Sequence, residues 1–440
     1  MASESGKLGA TPGGVVRALR EARERTLAIV ASVSDEDLEH PHSSLMSPLV
    51  WDLAHIAAYE DLWLVHRCGG KPLLRAGLAE MYDAFETPRA ERSTLPLLGP
   101  ADAREYLAEV RARTVEVIDE RGIGDGNAHA MVLRHEHQHN EPMLQALQLA
   151  HLADYEPVGQ DRRSNGPGPT PTGLELVVVP AGECTIGLAG PPGSREPRFA
   201  YDNECPRHRT DVRGYQIGRT PITNGTYLTF VEGGGYTRRE WWSDEGWAWK
   251  EEYDITKPGG WTADHRSEWR LGALDPLEPH RPVVHISWFE ADAFARAHGA
   301  RLPTETEWEK AATWDQEISA ARPFPWGDDP PRPGIHGNID QFDRGPARGG
   351  GYPAGASPFG CLGMIGDVWE WTASDFGPYP GFVAYPYKEY SEVFFGTSYK
   401  VLRGGSWATR PLVATATFRN WDYAQRRQIF AGVRIARDLS

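Results

Sequence analysis

Cysteine is scarce in this 440-residue chain: Cys68, Cys184, Cys205 and Cys361 are scattered with no C-x-x-C pair, so a disulfide framework is not expected. Long apolar runs are missing too. No stretch approaches eighteen apolar residues and the first thirty contain no long apolar segment, so neither a membrane span nor a signal peptide is expected and a cytoplasmic address follows. Basic residues are outnumbered, giving a net charge of -15 without any basic stripe, which disfavours a nucleic-acid partner. With 40% hydrophobic and 24% charged residues, the composition is that of a soluble protein of two or three domains. Tryptophan and glycine are plentiful. Of 16 Trp, fourteen follow residue 240, among 47 Gly overall, which predicts a loop-rich second half packed on aromatic anchors.

The densest chemistry lies in Arg134-His135-Glu136-His137-Gln138-His139-Asn140-Glu141, flanked by apolar Ala130 to Leu133 and by Met143-Leu144. On a helix, residues four apart share a face, so His135 and His139 form a two-point metal clamp while His137 points elsewhere. The letters also spell the H-E-x-x-H of zinc peptidases, whose Glu is a general base. A metzincin would continue with Gly and His where this chain has Pro142 and Gln145, and Pro142 is expected to bend the helix. A third ligand must come from another segment.

Helical spacing also marks residues 14 to 32, a segment from a Ser47 cap with Pro48 at the first helical position through His55 to His66, and Asp102 to Asp119. Four such helices are most simply an antiparallel bundle, whose core builds metal sites from facing side chains. His55, among Leu49, Trp51, Ile56 and Leu62, is the candidate third ligand; a hydrogen-bonded core histidine is the alternative. Residues 155 to 173 are rich in Pro and Gly and read as a linker. The expected domains are therefore 1–154, a helical bundle carrying the metal ligands, and 174–440, a loop-rich α+β domain. In the latter, Leu176 to Gly182 and Ile217 to Thr223 read as strands and Trp288 to His298 as a helix.

Pro282-Val283-Val284-His285-Ile286-Ser287-Trp288, Arg301-Leu302-Pro303-Thr304-Glu305-Thr306-Glu307-Trp308-Glu309, Pro325-Trp326-Gly327, Gly366-Asp367-Val368-Trp369-Glu370-Trp371-Thr372 and Arg403-Gly404-Gly405-Ser406-Trp407 occur in this order. In this the second domain resembles the formylglycine-generating, sulfatase-modifying superfamily, which implies a C-type-lectin-like fold. Formylglycine formation relies on a C-terminal cysteine pair; here the matching segments read Gly432-Val433-Arg434-Ile435 and Phe418 to Asp422. The catalytic centre must differ. The first domain resembles the DinB-like group, and a DinB-like bundle joined to such a domain is the arrangement of the ergothioneine-biosynthesis sulfoxide synthases.

That resemblance implies Fe(2+) held by His55, His135 and His139. Three imidazoles leave about three octahedral positions free, where a facial triad would spend one ligand on a carboxylate, although the set also suits zinc. It further implies that Arg89 and Arg92 grip the carboxylates of γ-glutamylcysteine and that Asp422 meets its ammonium. Gln138, Asn420 and Trp421 are implied to line the pocket for N,N,N-trimethylhistidine (hercynine), with Trp421 facing the quaternary ammonium. Tyr379 is implied as the catalytic proton donor; Tyr352, Tyr385, Tyr387, Tyr390 and Tyr399 lie nearby in sequence, and only the resemblance singles it out. The implied reaction couples the thiol to the imidazole with O2 and yields a sulfoxide. A DinB-like metal-dependent thiol transferase, a zinc hydrolase and a non-catalytic lectin-like module are the rivals, and no membrane partner is expected.

Overall fold

The computed structural model describes residues 11–43, 45–84, 86–152, 173–190 and 199–439. Most of the predicted 155–173 linker therefore falls outside the described residues. The chain divides into two compact units, one formed by Met1–Gln160 with Pro197–Phe199 and Leu271–Ala273, the other by the remainder.

The first unit is helical. Helix α1 (Pro12–Ile29) starts as its composition dictates, with Pro12 in the first turn and the Thr11 hydroxyl accepting from Gly14 N–H. A short α2 (Asp35–Glu39) follows, capped by Ser34. Helix α3 (Leu49–Glu60) begins one residue later than predicted. Pro48, not Ser47, occupies the cap position, because the Ser47 hydroxyl is drawn away to accept from Arg92 Nη1 at 2.8 Å. The chain then continues as a wider, π-helical stretch, Asp61–Cys68. Helices α4 (Pro100–Arg121) and α5 (Asn127–Leu149) complete the unit. Pro142 lies inside α5 without ending it, and the helix runs on to Leu149.

Buried charge as well as apolar packing joins these helices. Arg23 of α1 and Arg111 of α4 each bond both Glu60 of α3 and Glu136 of α5, at 2.7 to 2.9 Å, in a group with two charges of each sign. Burial tends to raise the Glu60 carboxyl, but the Arg111 and Arg23 charges outweigh it and hold the pKa at about 2. The group fixes the rotation of α5. With Glu136 turned toward Arg23 and Arg111, the adjacent His135 must face elsewhere.

The second unit is built of short elements and long connections. Leu176–Val179, Tyr215–Gly218 and Ala436–Asp438 form a three-stranded antiparallel sheet. The predicted strand from Ile217 thus starts earlier and stops before Pro221, which has no N–H to donate. A four-stranded sheet takes the order Asn420–Tyr423, Tyr399–Arg403, Trp369–Asp375, Ala431–Gly432. The predicted helix appears as Trp288–Ala297, started by a Ser287 to Glu290 capping box. Trp308 and Trp371 are fully buried, and Trp308 Nε1 donates to Glu370 at 2.6 Å, as aromatic anchors should when their polar edge is enclosed. Glu370 in turn accepts two bonds from the buried Arg434. Gly404 has φ of 96°, and a Cβ there would sit 2.7 Å from the Met364 carbonyl, so the Gly-Gly of this segment is a steric requirement.

Candidate metal centre

His55, on α3, and His135 and His139, on α5, converge so that one ring nitrogen of each lies within 4.8 Å of the others. No other group of three potential ligands occurs among the described residues. The outer edges of two rings are committed. His55 Nδ1 lies 2.5 Å from the Tyr82 carbonyl, and His139 Nδ1 lies 3.0 Å from Asp52 Oδ1. An imidazole that donates through Nδ1 presents a lone pair at Nε2. His55 Nε2 and His135 Nε2 approach to 3.1 Å, about the span of two neighbouring ligands each ~2.1 Å from one ion. Burial, and then neighbouring His139, pushes His55 well below its ordinary pKa; burial with His139 and His55 does the same to His135. Both are therefore neutral donors. The set fits a divalent ion of borderline character, iron and zinc included.

Aromatic rings brace the triad. Trp51 stacks on His55 at 4.6 Å and 13°, and Tyr59 stacks on His135 at 3.7 Å and 11°. Asp52, 5% exposed, is a positioning group that the sequence reading passed over. Its signal was its place one helical turn before His55, on a helix expected to be buried. Glu136 decides the peptidase question. Oε1 accepts from Arg23 Nε at 2.8 Å and Oε2 from Arg111 Nη2 at 2.9 Å, so this carboxylate serves the ion-pair group and not a metal-bound water. His137 is buried outside the triad.

The sulfatase-modifying factor enzyme 1-like domain family matches residues 162–439, and the DinB superfamily matches residues 18–143. The hercynine oxygenase of Mycolicibacterium thermoresistibile is 45% identical over 97% of this chain and 95% of its own length. That of Mycobacterium tuberculosis is 44% identical over 96% and 98%. The chain belongs to the hercynine oxygenase family. The formylglycine-generating enzyme of Mycobacterium tuberculosis is 32% identical, over 47% of this chain and 75% of its own length. The chain therefore joins a DinB-like helical bundle to a formylglycine-generating-enzyme-like domain, and its fold class is α+β.

The remaining predicted residues fall into distinct settings. Within the bundle, Gln138 is half-buried on α5 and Arg89 is exposed on the turn Arg89–Thr94. Arg92 is 5% exposed and bonds three protein acceptors: the Thr87 and Ala84 carbonyls and the Ser47 hydroxyl. Two arginines expected to act alike are thus differently placed.

Within the second unit, Asn420, Trp421 and Asp422 are consecutive on an edge strand, whose alternation sets Asn420 and Asp422 on one face and Trp421 on the other. Trp421 stacks on Phe376 at 4.2 Å, and Asp422 lies 3.6 Å from Arg426. Tyr379 is enclosed, at 6% exposed, in a hydrophobic core cluster of this unit. Arg419 covers its ring at 4.2 Å, its hydroxyl accepts from Arg403 at 3.5 Å, and a Cβ on Gly187 would come within 3.1 Å of it. Burial, then the nearby Glu305, raises its pKa far above the ordinary phenol value. By contrast, half-buried Tyr387 packs edge-on to Tyr390 at 6.2 Å, and Tyr390 packs edge-on to Trp421 at 6.1 Å.

Proposed function

We propose that the chain catalyses the O2-dependent joining of γ-glutamylcysteine to hercynine, with ferrous iron held by His55, His135 and His139. The thiol S–H and imidazole C2–H are replaced by a carbon–sulfur bond, one oxygen atom ends in the sulfoxide and the other in water. Those two oxidations use all four electron equivalents of O2. The observation that carries the reading is the convergence of the triad, with one ring nitrogen of each histidine within 4.8 Å of the others and His55 Nε2 3.1 Å from His135 Nε2, while the neighbouring carboxylate, Glu136, is turned into an ion-pair group. The hercynine oxygenase names of relatives that match nearly the whole chain support it.

When bound, ferrous iron would supply the Lewis acidity and electron transfer that let a thiol react with O2, and three neutral imidazoles leave it positive enough to favour a thiolate. The chain's own groups do the rest. Asp52 and the Tyr82 carbonyl hold two imidazoles in one tautomer. Arg89 offers an exposed guanidinium edge for a thiol-substrate carboxylate. Trp421 offers an indole face suited to a quaternary ammonium. For the proton donor we favour Tyr387 over Tyr379. Tyr379 is packed under Arg419 with its oxygen bonded by Arg403, whereas Tyr387 belongs to the aromatic group that adjoins Trp421.

The test is anaerobic metal loading of wild type and of His135→Ala, His139→Ala and His137→Gln, followed by O2 with both substrates and mass spectrometry of the products. Iron and sulfoxide should be lost from the first two variants and retained in His137→Gln. Full iron occupancy in both ligand variants would sink the assignment. Turnover with zinc in place of iron would favour a hydrolase or transferase.

A further inference from the structure

Two separate lines of contact connect Arg92 to His55, although the two side chains do not touch as ligand and partner. The first is a stack. The Arg92 guanidinium lies 3.6 Å over the Trp51 ring, and Trp51 lies parallel to the His55 imidazole, 4.6 Å away at 13°. Trp51 is fully buried, so it has no freedom to tilt unless Arg92 or His55 moves. The second line runs through the backbone. Arg92 Nε donates to the Thr87 carbonyl at 3.0 Å and Nη2 to the Ala84 carbonyl at 3.2 Å. These residues follow Tyr82, whose carbonyl fixes His55 Nδ1 and whose hydroxyl accepts from Leu98 N–H at 2.7 Å. A third bond, from Nη1 to Ser47 at 2.8 Å, anchors the same guanidinium just ahead of α3, the helix that carries Trp51 and His55.

We propose that Arg92 is a positioning residue of the metal centre: it presses Trp51 onto His55 and pins the segment whose Tyr82 carbonyl orients that ring. The inference rests on the triad reading of the metal site.

The sign of the effect separates positioning from simple charge. A guanidinium near a divalent ion repels it, so by Coulomb's law alone removal of the charge should tighten metal binding and its retention should change nothing. Positioning demands the reverse. Arg92→Lys keeps the charge but loses the flat stack and the fork, and Arg92→Gln loses charge and stack together; both should weaken the metal. Loss of a group that orients a ligand typically costs about 10- to 100-fold in metal affinity.

Full-length metal-free protein would be titrated anaerobically with Fe(2+) against a competing chelator, without thiol or hercynine present. Co(2+) would be bound in parallel, because its visible spectrum reports ligand geometry independently of turnover. Arg92→Lys and Arg92→Gln should each bind Fe(2+) at least about tenfold more weakly, with an altered Co(2+) spectrum. Trp51→Phe leaves Arg92 in place but shrinks the surface between it and His55, and should do the same; it serves where an Arg92 variant fails to fold. Arg89→Ala should leave metal affinity unchanged. Wild-type or tighter binding in both Arg92 variants overturns the proposal. Metal binding that survives the loss of both His135 and His139 overturns the triad reading instead, whatever the Arg92 variants do.

Discussion

Asp52 Oδ1 stands 3.0 Å from His139 Nδ1, and the carboxylate is almost wholly buried. A carboxylate behind a ligating imidazole fixes its tautomer and makes its other nitrogen a stronger donor. Asp52→Asn retains an acceptor of the same shape and removes the charge. Metal affinity should fall about 10- to 100-fold in this variant, measured by chelator competition on the otherwise folded protein. Unchanged affinity would mean that Asp52 serves only the first turn of α3.

The ion-pair group behind the site predicts an acid limit to stability. Glu60 is held at about 2 in the folded chain against an ordinary 4.5, so the folded state binds fewer protons than the unfolded state between those values. Its contribution is complete above pH 4.5 and is lost as the pH falls toward 2. A shift of that size corresponds to about 3 kcal/mol. Urea unfolding of the wild type should lose stability steeply across this window. Glu60→Gln should be destabilised at neutral pH by about 3 to 5 kcal/mol, since two buried arginines lose a partner, and should show a flatter acid slope. Parallel pH profiles for the two proteins would remove Glu60 from the account.

Arg89 and Arg92 should separate kinetically. Arg89→Ala removes an exposed charge-assisted contact to a carboxylate, worth about 1.5 to 3 kcal/mol, or roughly tenfold to a hundredfold in KM for γ-glutamylcysteine. The KM for hercynine should move little. Equal rises in both constants would show that Arg89 shapes the site and does not recognise the thiol.

Much of this was readable in the letters because it depends on local spacing. The i, i+4 pair His135 and His139 follows from helical periodicity alone, and the apolar run around His55 marked a buried helix. Long-range partners left no comparable trace. Nothing in the sequence announces that Glu136 is claimed by Arg23, 113 residues away, or that Arg92 lies on Trp51. The same blindness placed Ser47 as a helix cap, where a tertiary bond to Arg92 won. The C-terminal domain was recognisable from ordered Trp and Gly segments, but which of its tyrosines is enclosed depends on Arg403 and Arg419, residues that fold back from elsewhere.

The tyrosines give the sharpest remaining test. A proton donor for this reaction must reach the reacting atoms and must stay protonated until an oxygen turns basic, which an ordinary phenol with a pKa near 10 does. The two tyrosines differ in access: Tyr379 is enclosed and Tyr387 is half-buried. Tyr387→Phe removes only a hydroxyl from the aromatic group beside Trp421 and should leave iron content unchanged. With proton delivery lost, the thiol becomes the easier target, and O2 should be diverted to the sulfinic acid, both oxygen atoms ending on sulfur. General acid catalysis is worth about 10²- to 10⁴-fold, enough for this side reaction to win. Tyr379→Phe should instead keep the wild-type product ratio and lose stability, because Arg403 would lose an acceptor inside the core. Quantifying sulfoxide conjugate against sulfinic acid under equal O2, together with thermal unfolding, reads both variants at once. Diversion to the sulfinic acid in Tyr379→Phe, with Tyr387→Phe unaffected, would return the donor's role to Tyr379.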